Sequence, residues 1–396
     1  MLRELRLSAF KCFSELALPL RPLTLLAGVN GSGKSTVLQG LVLLHQALLD
    51  TGTDGAQLTN LPLNGSLLTL GSVRDVVDKT KGGKSFGLGL SSTGAHVSWE
   101  FRGDNPLNDL AAIIAKTTWK LENLKKLSGK RQRGLLPKQL MATTEGKELF
   151  RTLAKAQYVP ADRLGPSEAF PLLAPDRHKT LGPRAERAVG ALYWKRDDDV
   201  SVEGLRHPDR RHAPRVVRQV EAWLNELFPG VVMDVQRVLN ANLATLGIGI
   251  GGTPDFHRPQ HVGFGMTYAL PILVALLSAA PGDLVLLENP EAHLHPRAQV
   301  SIAGLCVRAA RCGIQVILET HSDHVLNGIR VAVHRAKLSP EQVGIHFFER
   351  RSLEGNPSWR TLGLGPGGRL TERPAGFFDE IERQLTELLE PSDGDA

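Results

Sequence analysis

The run GVNGSGKS at residues 28–35 constrains the fold more than any other stretch. Gly28 and Gly33, with four residues between them, let the backbone bend so that successive N–H groups face one anion. Lys34 adds a positive charge able to reach phosphate oxygens, and the Ser35 hydroxyl can ligate a hard cation. The spacing alone is loose enough to arise by chance. Its context is not: PLTLLAGVN before it is a short apolar run ending in a turn, and the apolar spacing from Val37 to Leu49 is helical. Strand, glycine loop and helix in that order predict a P-loop binding ATP or GTP through Asn30, Gly31, Ser32, Gly33, Lys34, Ser35 and Thr36. Ser35 then also touches Mg²⁺.

A chain of 396 residues with 42% hydrophobic content can build one large domain or two ordinary ones. Forty-seven Lys and Arg against 41 Asp and Glu leave a net charge of +6, which permits a nucleic-acid partner without demanding one. Cys12, Cys306 and Cys312 are too few and too badly spaced for a disulfide framework or a zinc site, so buried thiols in a reducing cytosol are expected. The N-terminal MLRELRLSAFKCF lacks the continuous apolar core of a signal peptide. The longest apolar stretch, residues 266–280, is too short to span a bilayer and contains Pro271. A cytoplasmic protein with no membrane partner is the expectation.

LRELRLSAFKCF and ELALPL alternate with period two and predict half-buried strands. From 51 to 150 the pattern weakens; KSFGLGLS and AHVSWEF are strand-like. The stretch 116–138 holds eight Lys or Arg and one Glu, and reads as a solvated helical face and loop or as a basic arm touching a phosphate backbone. AQYVPADRLGP leads from a strand into a loop, and RVVRQVEAWLNELFPG is an amphipathic helix stopped by Pro229 and Gly230. From 262 onward helix and strand alternate, the mark of a parallel α/β sheet. This divides the chain into an N-terminal lobe with the P-loop (1–50), the rest of that lobe with a helical, basic insertion (51–235), a C-terminal lobe (236–345) and a small terminal domain (346–396).

Within the C-terminal lobe, DLVLLEN carries four apolar residues, Leu284 to Leu287, and then Glu288, where open α/β sheets place their ligands. A P-loop hydrolase needs such a carboxylate for Mg²⁺, so Glu288 is the expected metal residue. The next strand, IQVILETHS, ends in Glu319, Thr320, His321 and Ser322. A histidine at this strand end can hydrogen-bond a γ-phosphate or the attacking water, although a lone histidine is more often structural. His293 and His295 lack further ligands nearby, so zinc is not expected.

Together LRELRLSAFKCF, LAGVNGSGKST, HVGFGMTYALPILVALL, LVLLENPEAHLHP and ILETHSDHVL resemble the ABC-type AAA ATPases of the SMC, RecF and OLD groups. The tail GPGGRLTERPAGFFDEIERQL resembles the small C-terminal domain of unknown function in a bacterial subset of them. The resemblance implies an α/β P-loop NTPase of ABC type, with a mixed, largely parallel central sheet, an antiparallel N-terminal subsheet and a helical insertion. It implies ATP and Mg²⁺ as cofactors and a head-to-tail homodimer, or a higher oligomer, in which each ATP meets the signature loop of the other subunit. That loop corresponds to Gly263–Thr267, with Gly263, Gly265 and Thr267 as the binding positions.

Members of these groups end the Walker B strand in Asp-Glu, whereas this chain has Glu288 and Asn289. An amide cannot act as a base, so the resemblance implies either that Glu291 takes the proton or that hydrolysis is slow and switch-like. Lys34, Asn289, Glu291 and His321 are thus the candidate catalytic residues. Arg163 completes a Tyr-x-x-x-x-Arg pattern of no evident role, and Gln157 is a candidate Q-loop residue. The OLD nuclease domain is not expected here, since the helical FFDEIERQLTELL stretch carries no Asp-x-Asp pair. The implied role is a sensor or motor for a separately encoded effector, of nuclease kind, in antiphage defence or DNA maintenance. A RecF-like repair ATPase that binds DNA without a dedicated effector is the alternative.

Overall fold

The computed structural model describes residues 1–50, 58–79, 83–121, 134–175, 180–251, 255–350, 357–374, 376–378 and 380–389. Strands β1 (Leu2–Phe10) and β2 (Phe13–Pro19) alternate as predicted, burying Leu5, Leu7, Leu16 and Leu18 and exposing Arg6, Glu15 and Ala17. β3 (Leu23–Gly28) is instead buried from Leu23 to Ala27, as suits a strand covered on both faces. Helix α1 (Lys34–Asp50) follows, almost wholly buried from Thr36 to Leu48. Its first turn holds no acidic residue, so the positive end of its dipole faces the glycine loop uncompensated.

β4 (Asn60–Pro62), the short helix α2 (Val73–Val76), β5 (Ser85–Ser92), β6 (Ala95–Arg102) and β7 (Ala111–Leu121) come next. With β1 and β2 these strands form one antiparallel sheet in the order β2-β1-β5-β6-β7-β4. The basic stretch from 116 therefore begins as strand, not as a helical face. Lys116 and Lys120 are exposed while Thr117, Trp119 and Leu121 are buried. Lysines four apart suit one side of a strand as well as one side of a helix, and pairing to β6 selects the strand. Residues 122–133, the rest of the candidate basic arm, lie outside the described residues.

The chain continues through α3 (Lys138–Met141), α4 (Thr144–Ala154), β8 (Gln157–Val159), β9 (Phe170–Pro171), α5 (Ala188–Lys195), α6 (Val216–Leu227), β10 (Val231–Arg237) and β11 (Leu243–Ile250). The expected alternation then appears as α7 (Phe264–Leu277), β12 (Leu284–Glu288), α8 (Pro296–Arg311), β13 (Gln315–Glu319), α9 (Asp323–His334) and β14 (Val343–Glu349). β15 (Ser358–Leu362) and α10 (Glu380–Leu389) complete it. The central sheet runs β15-β14-β3-β13-β12-β8, parallel from β14 to β8 with β15 as an antiparallel edge. A mixed, largely parallel central sheet and a separate antiparallel sheet holding the N-terminal strands are thus both present. Among the described residues no helix is long and apolar enough to cross a membrane.

The central sheet is a wall between two cores. Leu25, Ala27, Val285, Leu287, Val316 and Leu318 pack against helices α5 to α9, whereas Leu26, Leu284, Leu286 and Ile317 pack against α1 and the antiparallel sheet. Period-two alternation sends successive side chains into different cores, so each strand must be apolar at every position. The Gln315 amide joins the two sheets, accepting from the Leu2 N–H at 2.8 Å and donating to the Leu2 carbonyl at 2.7 Å.

Two buried histidines make stability depend on acid. His45 Nδ1 lies 2.5 Å from the Leu153 carbonyl; His346 Nε2 lies 2.8 Å from the Pro19 carbonyl and its Nδ1 lies 3.0 Å from the Thr361 hydroxyl. Burial pushes both imidazoles down to about 4. Below the unfolded value of about 6.5 the unfolded chain takes up protons that the folded chain refuses, so stability falls as pH drops from about 6.5 towards 4. Each histidine contributes at most about 3 kcal/mol of that fall. A His346→Gln variant should lose stability less steeply than wild type over this window in urea unfolding; an equally steep loss would remove His346 from the account.

Candidate nucleotide site

The glycine loop is built on conformations and contacts that side chains resist. Gly28, Gly31 and Gly33 have φ of +137°, +72° and +95°. A Cβ at Gly28 would stand 2.0 Å from the Phe348 carbonyl oxygen, and one at Gly33 would stand 2.5 Å from the Phe13 ring. The sheet therefore holds the loop from behind while its residues line a cleft of about 450 Å³. Asn30, Gly31, Ser32, Gly33, Lys34, Ser35 and Thr36 all line this cleft, joined by Cys12, Gln39, Ala161, Glu288, Asn289, Glu319 and His321.

Lys34 is 2% exposed and its ammonium donates to the Gly28 and Val29 carbonyls at 2.9 and 2.8 Å. Burial lowers its pKa, with Glu319 and Glu291 pulling the other way. The Ser35 hydroxyl donates to Glu319 Oε1 at 3.0 Å, and the Lys34 ammonium lies 4.0 Å from the same oxygen. Glu288 sits opposite Glu319 in register on adjacent parallel strands and accepts from the Ala161 N–H at 3.2 Å. Burial raises both carboxyls, Glu319 to about 7 despite the Ser35 bond that opposes it. Glu288 Oε1 and Glu319 Oε2 have no hydrogen-bond partner among the described residues.

Two unpartnered carboxylate oxygens beside a serine hydroxyl fit Mg²⁺, which takes oxygen donors from one or two carboxylates and leaves its other positions to water and phosphate. No group of three or more His, Cys, Asp or Glu suited to a metal occurs among the described residues.

Glu291 stands behind the rim. Its Oε2 accepts from the Thr320 hydroxyl and its Oε1 from the His321 N–H, both at 2.7 Å. The loop after β12 and the end of β13 are thereby tied together. The His321 imidazole lines the cleft, and its partial burial with the nearby Lys34 charge lowers its pKa, which favours the neutral ring at neutral pH. Asn289 has φ of +43°, a region that asparagine tolerates better than most residues, and its N–H donates to the Glu319 carbonyl at 2.9 Å.

The residues expected to form the signature loop do not line this cleft. Gly263 caps α7, Gly265 is packed so that a Cβ would meet the His293 carbonyl oxygen at 2.6 Å, and the Thr267 hydroxyl donates to the Phe264 carbonyl at 2.9 Å. Phe264, beside them, is 56% exposed. Gln157 begins β8, pairs with Val285 and does not line the cleft. His295 caps α8, its Nδ1 accepting from the Arg297 N–H at 3.4 Å.

Sequence reasoning gave no role to Glu319 or to Arg163. Glu319 had a visible signal, an apolar strand closed by Glu, the same pattern as β12. Arg163 is 1% exposed and donates to the Pro160 carbonyl at 2.9 Å, the Tyr268 carbonyl at 3.4 Å, the Asn289 carbonyl at 2.7 Å and the Glu288 carbonyl. Burial lowers its pKa to about 10, which still leaves it charged. One guanidinium therefore fixes the turn carrying Glu288 and Asn289 to α7. Truncation strands these carbonyls without a donor, and Arg163→Ala should cost about 3 kcal/mol or more in urea unfolding. Arg163→Lys should recover only part, since an ammonium cannot span the fork. A change within about 0.5 kcal/mol for alanine, ordinary for a surface site, would refute the clamp.

Residues 23–327 match the profile of an AAA-domain family whose description carries a provisional link to the AbiEii toxin of a type IV toxin–antitoxin system. Residues 338–388 match a family described as a protein of unknown function. No curated protein matches the chain significantly. Similar solved structures include an Smc head bound to the C-terminal winged-helix domain of ScpA, at 13% identity and TM-score 0.48, covering 92% of this chain and 98% of that one. The SMC head domain from Thermotoga maritima aligns at 13% identity and TM-score 0.43, covering 92% and 99%. An Smc head with an extended coiled coil, bound to the C-terminal domain of ScpA from Pyrococcus furiosus, aligns at 11% identity and TM-score 0.45, covering 98% and 99%. With its P-loop and both strand-end carboxylates inside a matched region that spans most of its length, the chain belongs to this AAA-domain family.

Proposed function

We propose that this protein binds ATP with Mg²⁺ and hydrolyses it at a site completed by a second copy of the chain. The observation that carries this reading is the separation of parts. P-loop, Glu288 and His321 share one cleft, whereas the Gly263 end of α7 lies outside it beside an exposed Phe264. A helix N-terminus with free amides is an anion site, and in a head-to-tail dimer it meets the phosphate held by the other subunit.

In the bound state the loop amides and the α1 N-terminus receive the phosphates, and Lys34 exchanges the Gly28 and Val29 carbonyls for phosphate oxygens. Ser35 and Glu288 would hold Mg²⁺, which would neutralise charge on the phosphates. Neutral His321 at the rim donates a hydrogen bond to the γ-phosphate or accepts one from the attacking water, its backbone fixed by Glu291. Asn289 orients the attacking water but cannot take its proton. Glu291 is the proton acceptor: each of its oxygens holds one hydrogen bond and keeps a lone pair. An acceptor set back from the rim suits slow, switch-like turnover.

The dimer is the moving part of a cytoplasmic sensor that acts on a separately encoded effector of nuclease kind, in antiphage defence or DNA maintenance. The family's link to a toxin–antitoxin system supports a two-component arrangement. Salt-dependent DNA binding that strengthens with ATP, with no second protein present, would favour the RecF-like reading instead.

Three variants test these roles. Lys34→Ala should abolish ATP binding in equilibrium dialysis. Gly263→Asp should leave ATP binding intact while abolishing ATP-dependent dimerisation in light scattering. Gly263 has φ of −62° and no heavy atom near its built Cβ, so aspartate fits the fold but brings a negative charge to the anion site. Dimerisation that survives Gly263→Asp would overturn the shared site. Glu291→Gln should slow turnover about a hundredfold and leave ATP affinity unchanged; unaltered turnover would pass the acceptor role to His321.

A further inference from the structure

We propose that Glu319 and Glu288 together form a two-carboxylate seat that takes a divalent cation before nucleotide arrives, with Ser35 as its hydroxyl donor. This rests on the ATP reading above but extends it, since a cation bound only through Ser35 and one carboxylate depends on the phosphates for most of its ligands.

The geometry is specific. β13 lies between β3, which carries the P-loop, and β12, which carries Glu288. Its terminal residue therefore reaches Ser35 first, and the Ser35 hydroxyl bonds Glu319 rather than Glu288. A hydroxyl donating its proton to a carboxylate keeps its lone pairs for a cation. Glu288 and Glu319 are 8% and 5% exposed, both face the cleft, and each has an oxygen without a partner among the described residues. Buried carboxylate oxygens left without donors cost free energy unless a positive charge meets them.

The nearby cations are already committed. Lys34 lies 4.0 Å from Glu319 and is held by two carbonyls. Arg163 spends its guanidinium on backbone carbonyls, those of Glu288 and Asn289 included. Two carboxylates facing the cleft weaken the pull that Lys34, Lys11 and Arg163 exert on an incoming triphosphate. A divalent cation in the seat removes that opposition, so metal binding prepares the phosphate site.

The test uses Mn²⁺ as the probe, titrated into the nucleotide-free full chain and followed by electron paramagnetic resonance of free Mn²⁺. Wild type should bind one Mn²⁺, and Glu319→Gln should weaken this about tenfold or more. The same variant, with its fold checked by circular dichroism, should bind ATP in EDTA at least as well as wild type, because one repelling charge is gone. Glu319→Asp keeps the charge on a shorter arm and should retain measurable Mn²⁺ binding. Equal Mn²⁺ affinity in wild type and Glu319→Gln, or no binding to nucleotide-free wild type while ATP binds, would overturn the seat and leave the ATPase reading standing. Glu319-dependent Mn²⁺ binding with no ATP binding would uphold the seat and sink the ATPase reading.

Discussion

Parallel pairing of β3, β13 and β12 is the constraint on which the rest depends. Leu26 opposite Glu319 and Glu319 opposite Glu288 set three strand ends side by side at one edge of the sheet. The pairing also sends alternate side chains into two cores, so a register slip of one residue would move every leucine on β12 into the wrong core. Site geometry and core packing are thus enforced by the same hydrogen-bond ladder.

The edge thus made is crowded with charge that the fold must manage. Lys34, Glu288, Glu319 and Arg163 are all nearly buried, and each is answered by backbone or hydroxyl groups more than by a close ion pair. Lys34 leans on the carbonyls of its own loop and Arg163 on those of the turn after β12. The two carboxylates are left less than fully satisfied. A site of this kind is strained in electrostatic terms, and ligands of the right sign relieve it. Arg163 further couples the cleft to α7, whose N-terminus lies outside it.

Much of this was readable from residue order. Loop, strand and helix around Lys34 follow from glycine spacing and a change of period from two to 3.6, and the alternation after 262 follows from short apolar runs. The antiparallel sheet was only partly legible. β5 and β6 alternate clearly, but β7 carries lysines four apart, which suits a helix equally well, and only its partner strand resolves the ambiguity. Arg163 was visible as a pattern without a purpose, because three of its four acceptors are carbonyls more than a hundred residues away and carbonyls carry no sequence signal.

Sequence by itself determined which residues can bend, which strands must be buried and which strand end bears Glu288, because these follow from covalent chemistry and local periodicity. Tertiary structure alone decided which carboxylate Ser35 meets, since that depends on strand order, and strand order is set by crossover connections rather than by any stretch of residues. It likewise decided that Glu291 braces His321 across a gap of thirty residues. Hydrogen bonds between strand ends are specified by the packing that brings those ends together, and packing is a property of the whole core.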